Sequence, residues 1–334
     1  QRFDPTSLNL SGEPVRIVDG LEWTEREQPY AWFSASPDVL AYRADAQGPG
    51  NELVWYDRTG KRVGEVGQPG AYTNPALSPD GRQLAVGRGH LGSRDIWVTD
   101  LARGTDMRLT FEEADDMNPL WSPDGQEIFF SSERTGARRL FCKPANGVGE
   151  ERPLEEGGLQ NSLESISPDG KILTYNDSRD IWMIATGGGK PQPVKGPRPG
   201  QANKSAISPD GRYLAYASNE SGRSEVFVQH FPFQGKRWQI SVAGGTEPTW
   251  RGDGRELFFR LNQTMMAAPI AISGDSLQPG APATLFEAPM RPQSRRNEYV
   301  VTRDGSRFLL ITQRPRSGNS AFNVVLHWAA GLPR

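Results

Sequence analysis

The tetrapeptide Ser-Pro-Asp-Gly occurs at residues 78–81, 122–125, 167–170 and 208–211. Looser copies are SPDV at 36–39, RGDG at 251–254 and TRDG at 302–305. The seven aspartates, Asp38, Asp80, Asp124, Asp169, Asp210, Asp253 and Asp304, are spaced 42, 44, 45, 41, 43 and 51 residues apart. A period in the low forties is the length of one four-stranded propeller blade, so the chain reads as a circle of like units.

The recurring carboxylate invites a catalytic or metal-binding reading, but the four letters first describe a turn. Ser suits the first turn position, Pro presets φ at the second, Asp accepts the third, and Gly takes the left-handed conformation that follows. The pairs Asp80–Gly81, Asp124–Gly125, Asp169–Gly170, Asp210–Gly211, Asp253–Gly254 and Asp304–Gly305 are therefore expected to be structural turns, as in a type I turn with a G1 bulge. In the first copy Val39 replaces the glycine, so that turn is expected to differ.

The register inside each unit agrees. An apolar residue follows four positions after the aspartate (Leu84, Ile128, Leu173, Leu214, Leu257, Phe308), and an aromatic seventeen after it in four units (Trp55, Trp97, Phe141, Phe227). Trp182 is the expected equivalent in the shorter fourth unit. Residues 73–114 read as four strands, NPAL, QLAVGR, DIWVTD and DMRLTF, separated by turn-forming segments. The expected fold class is all-β: a seven-bladed propeller of four-stranded antiparallel blades, with six blades the alternative if ASPDVLAYR does not begin a true blade. One domain, 1–334, is expected. Residues 1–29 would supply a closing strand and linker, 30–296 six blades, and 297–334 the last blade and tail. That last blade would combine NEYVV, RFLLIT and NVVLHW with EPVRI (13–17), which pairs the termini and removes open sheet edges.

Bulk properties narrow the partners. With 38 basic and 40 acidic residues the formal charge is −2, so there is no electrostatic reason to expect nucleic acid or an anionic membrane. The single cysteine, Cys142, excludes an intramolecular disulfide and a cysteine-based zinc site. No apolar run approaches the roughly 20 residues of a membrane helix. The sequence opens on Gln1, without Met or a leader, and reads as a piece of a longer chain.

The pattern P-x-W-S-P-D-G-x-x-I-x-F, clearest in NPLWSPDGQEIFF (118–130), resembles the WD40-like (PD40) repeat of TolB-type propellers. A closer likeness is carried by LAYR…ELVWYDRTGKRVGEVG, KPANGVGEE, SNESGRSEVFVQHFP and NVVLHWAAGL. These segments look like the C-terminal propeller of bacterial transmembrane serine/threonine kinases. The resemblance implies an extracytoplasmic location, periplasmic or at the cell surface, and a sensor or interaction role.

Catalytic signatures are sparse. A GxSxG nucleophile elbow is absent, since GRSEV and GNSAF miss it. His90, His230 and His327 fall at unrelated offsets, which argues against a shared metal. TGGGK (186–190) lacks the spacing of a phosphate loop. The most distinctive stretch is FEEADDMN (111–118), which leads from an outer strand into the next inner one. With the corresponding segments of other units it would place Asn74, Asp115, Asp116, Asn118, Asn161, Asn203, Lys204, Glu247, Arg296 and Glu298 around the mouth of a central channel. Convergent polar groups at a concave mouth suit a ligand site.

No cofactor is expected. A channel Ca2+ bridging carboxylates is conceivable, but no DxDxDG loop supports it. The expected partner is a protein or peptide, or a small ligand at the channel mouth, bound by a monomeric, non-catalytic propeller. The alternatives are a stand-alone TolB-like periplasmic scaffold, and a lyase or glycosidase using a pair such as Asp116 and Glu247.

Overall fold

The computed structural model describes residues 2–4, 6–11, 13, 17–18, 32–43, 50–90, 92–154, 162–194, 201–232, 236–274, 276–291, 297–313 and 322–328. The chain divides into two compact units, Asn51–Arg314 on one side and Gln1–Gly50 with Pro315–Arg334 on the other. The described elements are almost wholly β.

Within Asn51–Arg314 the described strands form six antiparallel sheets. Sheet A runs Tyr299–Val301, Arg307–Gln313, Asn51–Asp57, Arg62–Gly70. Sheet B runs Tyr72–Leu77, Gln83–Arg88, Asp95–Asp100, Thr105–Arg108, and sheet C runs Asp116–Trp121, Glu127–Ser132, Arg139–Pro144, Arg152–Pro153. Sheet D consists of Ser162–Ile166, Ile172–Asn176, Ile181–Ala185 and Gln192–Pro193. Sheet E consists of Ala202–Ile207, Tyr213–Ser218, Glu225–His230 and Arg237–Gln239. Sheet F begins with Thr246–Trp250 and Glu256–Leu261. Its long third strand, Thr264–Ser273, is flanked by Ala283–Glu287 along one half and Ser276–Pro279 along the other.

Second strands are apolar on both faces because each is sandwiched between two neighbouring sheets. Phe129 points into the core shared with sheet D, whereas Ile128 and Phe130 point into the core shared with sheet B. Leu84 and Val86 face sheet A, and Ala85 faces sheet C. The same alternation divides Leu257 and Phe259 from Phe258, and Leu309 and Ile311 from Phe308 and Leu310. Six apolar clusters therefore lie between A and B, B and C, C and D, D and E, E and F, and F and A. The last of these closes the circle, making this unit a propeller.

Third-strand aromatics at the +17 position each receive an arginine over the ring. Arg88 lies 5.0 Å from the Trp97 centroid, Arg134 4.4 Å from Phe141, Arg237 4.8 Å from Phe227 and Arg307 5.1 Å from Trp55. Trp182 does occupy the third strand of sheet D, where its indole N–H donates to Asp177 at 2.8 Å.

The recurring letters of the turn act on the backbone. Ser78 Oγ donates to Asp80 Oδ1 at 2.6 Å, the same oxygen accepts from Arg82 N at 3.0 Å, and Gln83 N donates to Ser78 Oγ at 2.9 Å. The arrangement repeats at Asp124, Asp169 and Asp210, and Thr302 takes the serine role at Asp304. Gly125 sits at φ 73°, and a Cβ there would lie 3.7 Å from Pro79 of the preceding turn. Successive turns thus nest against one another along one end of the ring.

The ends of the chain depart from expectation. The described sheets within Asn51–Arg314 number six, and the ASPDVLAYR segment pairs in the other unit. NEYVV and RFLLIT do form a half-blade, but their partners are Asn51–Asp57 and Arg62–Gly70, not NVVLHW and EPVRI. Closure still joins early to late chain. Phe322–Leu326 instead pairs with Val39–Arg43, which pairs with Phe33–Ala35, in a three-stranded sheet of the other unit. That unit also holds a two-stranded sheet, Arg2–Asp4 with Asn9–Ser11. Residues 14–16 of EPVRI lie outside the described residues. The SPDV turn, with Val39 in place of glycine, makes the short hairpin of this smaller sheet.

Candidate ligand site in the central channel

Innermost strands in sheets B to F share one irregularity, a β-bulge near the middle. It falls between Thr73 and Ala76, Met117 and Leu120, Leu163 and Ser165, Asn203 and Ala206, and Thr246 and Thr249. In four of these strands the bulge puts a non-glycine residue into the left-handed region: Asn74 at φ 52°, Asn118 at 55°, Lys204 at 57° and Glu247 at 55°. Each lies six residues before its turn aspartate. Bulges re-aim side chains, and left-handed lysine or glutamate carries strain that clusters at functional positions.

The bulges deliver polar groups to the axis. A cavity of about 30 Å³ is lined by Asn74, Asn118, Glu164 and Asn297, with Pro75 and Pro119 among its apolar walls. Glu164 reaches from sheet D to sheet E, where its carboxylate accepts Lys204 N at 2.6 Å, Ser205 N at 2.8 Å and Ser205 Oγ at 2.6 Å. The Lys204 ammonium donates to Asn297 Oδ1 at 3.2 Å. Burial pushes the Glu164 carboxyl above its ordinary range and the Lys204 ammonium below its own. Asn74 is 92% buried, and its amide oxygen has no hydrogen-bond partner.

The other predicted residues have different employment. Asp115 accepts the Gly92 and Arg94 backbone N–H groups at 2.7 and 3.0 Å and pairs with the buried Arg94 guanidinium at 3.3 Å. Asp116 is fully buried and lies 3.2 Å from Arg134, which also holds Glu151. Desolvation raises the Asp116 pKa despite that arginine. The FEEADDMN aspartates are thus structural counterions, and they are not presented to a ligand. Glu247 is paired with buried Arg260 at 2.9 Å and accepts Glu298 N at 2.8 Å, while Glu298 is held by Arg291 at 2.8 Å. Asn203 is exposed on the sheet E inner strand. Asn161 and Arg296 lie outside the described residues.

Sequence reasoning brought Asn74, Asn118 and Lys204 together and missed Glu164 and Asn297. Glu164 lies five residues before Asp169, one position off the common offset; in its strand Leu163, at the common offset, stays paired with Tyr175, and Glu164 is the unpaired bulge residue. The arginines that neutralise the predicted carboxylates are scattered: Arg94 just precedes the third strand of sheet B, Arg134 lies in the turn after the second strand of sheet C, and Arg260 lies in the second strand of sheet F.

Among the described residues no three His, Cys, Asp or Glu side chains gather as a metal site would require. Burial pushes the Cys142 thiol up to about 12, making it a poor nucleophile or ligand. No described helix is long and apolar enough to cross a membrane.

The family described as PD40, TolB beta propeller domain, matches residues 31–187. A solved chain assigned as TolB from Agrobacterium tumefaciens superposes with a TM-score of 0.63 at 20% identity, covering 80% of this chain and 99% of that one. Over residues 31–187, just under half of the chain, this β-propeller is similar to TolB-type propellers. TolB from Acinetobacter baumannii gives a TM-score of 0.53 at 14% identity, over 76% of this chain and 81% of that one. By sequence, the Tol-Pal system protein TolB of Anaeromyxobacter dehalogenans (strain 2CP-C) is 30% identical over 112 residues, which are 32% of this chain and 25% of that protein. The uncharacterized peptidase YuxL of Bacillus subtilis (strain 168) is 25% identical over 181 residues, 54% of this chain and 27% of that protein. The chain thus spans about a quarter of the length of these curated relatives.

Proposed function

We propose that this TolB-like propeller is a non-catalytic recognition module that binds a protein or peptide partner, or a small ligand, at its central channel. The observation that carries this reading is the Asn74–Asn118–Glu164–Asn297 pocket, in which the bulges of successive inner strands converge. A closed ring of six inter-sheet cores leaves the scaffold little freedom, so recognition falls to side chains held on rigid strands. The carboxylates that a glycosidase or lyase would need argue against catalysis by this chain. Asp116 is fully buried against Arg134, and Glu247 is buried against Arg260. Neither is placed to protonate a leaving group or activate water.

By likeness to TolB proteins the module works outside the cytoplasm. The resemblance of several segments to the propellers of receptor-type serine/threonine kinases supports a sensor domain of such a receptor over a stand-alone scaffold. Tagged protein incubated with solubilised envelope proteins tests the module. Capture of a partner whose binding is lost on changing channel residues supports recognition, and capture of none counts against it. A kinase domain and membrane segment encoded upstream of Gln1 support the receptor version, and their absence refutes it. The YuxL match raises a second reading, the propeller portion of a longer peptidase. A GxSxG-bearing hydrolase domain in the same gene would favour it.

A further inference from the structure

The channel pocket has a chemistry of its own, and the geometry points to a socket for one neutral head group that donates hydrogen bonds, a carboxamide or a hydroxyl. This rests on the reading of the channel as a recognition site and specifies what enters it.

Size sets the first limit. About 10–15 Å³ suffices for one water, so a cavity of about 30 Å³ admits two or three water-sized groups. It therefore takes the tip of a molecule, not a whole cofactor.

Polarity sets the second. Asn74 Oδ1 is buried and unpartnered in the wall of the cavity. A buried carbonyl without a donor is left desolvated and unpaired, and an entering N–H or O–H satisfies it. Asn74 and Asn118 hold left-handed backbones, where glycine would be free of strain. What glycine lacks is the amide.

Charge sets the third. Glu164 already accepts two backbone N–H groups and a hydroxyl. Lys204 stands beside the pocket on Asn297. Glu247 is answered by Arg260 and Glu298 by Arg291. An added cation would meet the Lys204 ammonium, and an added anion would meet the Asn74 oxygen and Glu164. Only a neutral donor adds a hydrogen bond without stranding a charge.

The test is titration of the whole chain, labelled with 15N at asparagine, by four single-group probes at equal ionic strength: acetamide, 1,2-ethanediol, methylammonium and acetate. The side-chain amide signals of Asn74 and Asn118 are expected to move saturably with acetamide or 1,2-ethanediol, with at least tenfold weaker response to the charged probes. The comparison of acetamide with 1,2-ethanediol sorts a carboxamide source from a hydroxyl source. Asn74→Gly should abolish the response at Asn118 while leaving thermal unfolding unchanged or slightly higher. Asn74→Asp, of the same shape, should move the preference to methylammonium. Equal or tighter binding of methylammonium or acetate by the unaltered chain, no saturable shift with any probe, or an unchanged response in Asn74→Gly overturns the proposal. An envelope partner captured with equal affinity by Asn74→Gly would also overturn it while leaving channel recognition intact.

Discussion

Glu164 offers the sharpest test of how the ring is held at its axis. Its carboxylate is the one described inner-strand side chain that clasps the next blade through two backbone N–H groups, of Lys204 and Ser205, besides the Ser205 hydroxyl. Glu164→Ala strands both donors at about 1–3 kcal/mol each, and relief of a poorly solvated charge returns part of this, leaving a loss of about 2–4 kcal/mol. Glu164→Gln keeps one acceptor and should lose about half as much. Urea unfolding should show a lower midpoint at unchanged slope, and melting should fall by roughly 2–4 °C per kcal/mol. The pH dependence has a definite sign. Burial raises the folded-state pKa above the ordinary 4.5. Stability linked to this group is therefore complete below that value and declines as pH rises through the folded-state value. Glu164→Gln should remove that leg. A Glu164→Ala protein within about 0.5 kcal/mol of the unaltered chain would refute the clasp, because it would mean that the Lys204 and Ser205 donors are satisfied some other way.

Four further outcomes are expected. Hydroxyl donors hold Asp80, Asp124, Asp169 and Asp304 below the ordinary carboxylate range, Asp304 at about 2. Their contribution is present above the unfolded value of 3.8 and lost as pH falls toward 2, so acid unfolding should steepen in that window and soften in Asp124→Asn. Arg260→Met leaves the Glu247 carboxylate buried and unpaired, and should cost about 3–5 kcal/mol by chemical denaturation. Asn118→Gly relaxes a φ of 55° and should be neutral or stabilising by a few tenths of a kcal/mol. A fragment spanning Asn51–Arg314 contains all six inter-sheet cores and should fold with the near-ultraviolet dichroism of the full chain; a molten fragment would show that ring closure needs residues beyond it.

The repeat was legible because it is local. Turn chemistry, the apolar residue four positions on and the aromatic at seventeen are all set within one hairpin or two, and each appears where the spacing placed it. Strand partnership at the ends is not local. Trp55 stands seventeen residues after Asp38 and does lie in a third strand, yet the second strand beside it is Arg307–Gln313, not Val39–Arg43. The first and seventh units each split, one half completing sheet A and the other half joining in the small three-stranded sheet. A ruler laid along the sequence counts both halves as blades. The 51-residue gap before Asp304 carried a different message, because Ser276–Pro279 adds a fifth strand to sheet F.

The site was legible only where backbone geometry fixed the offset. Six residues before the turn aspartate, the bulge turns Asn74, Asn118 and Lys204 toward the axis, so position alone located them. The carboxylates misled, because an acidic residue looks the same in sequence whether it faces a ligand or an arginine. Asp115, Asp116, Glu247 and Glu298 each meet a guanidinium, from Arg94, Arg134, Arg260 and Arg291 respectively. Desolvating an ion pair is costly enough that such carboxylates persist only where the partner is supplied, which makes the acidic stretch a set of internal counterions, with Asp115–Arg94 joining two blades and Asp116–Arg134 staying within one. The proposed recognition site rests on the uncharged pair, Asn74 and Asn118, which line the cavity, with the Asn74 amide oxygen unpartnered. A polar group that is buried, strained in its backbone and unpaired is a better pointer to a binding site in a propeller than any count of its acidic residues.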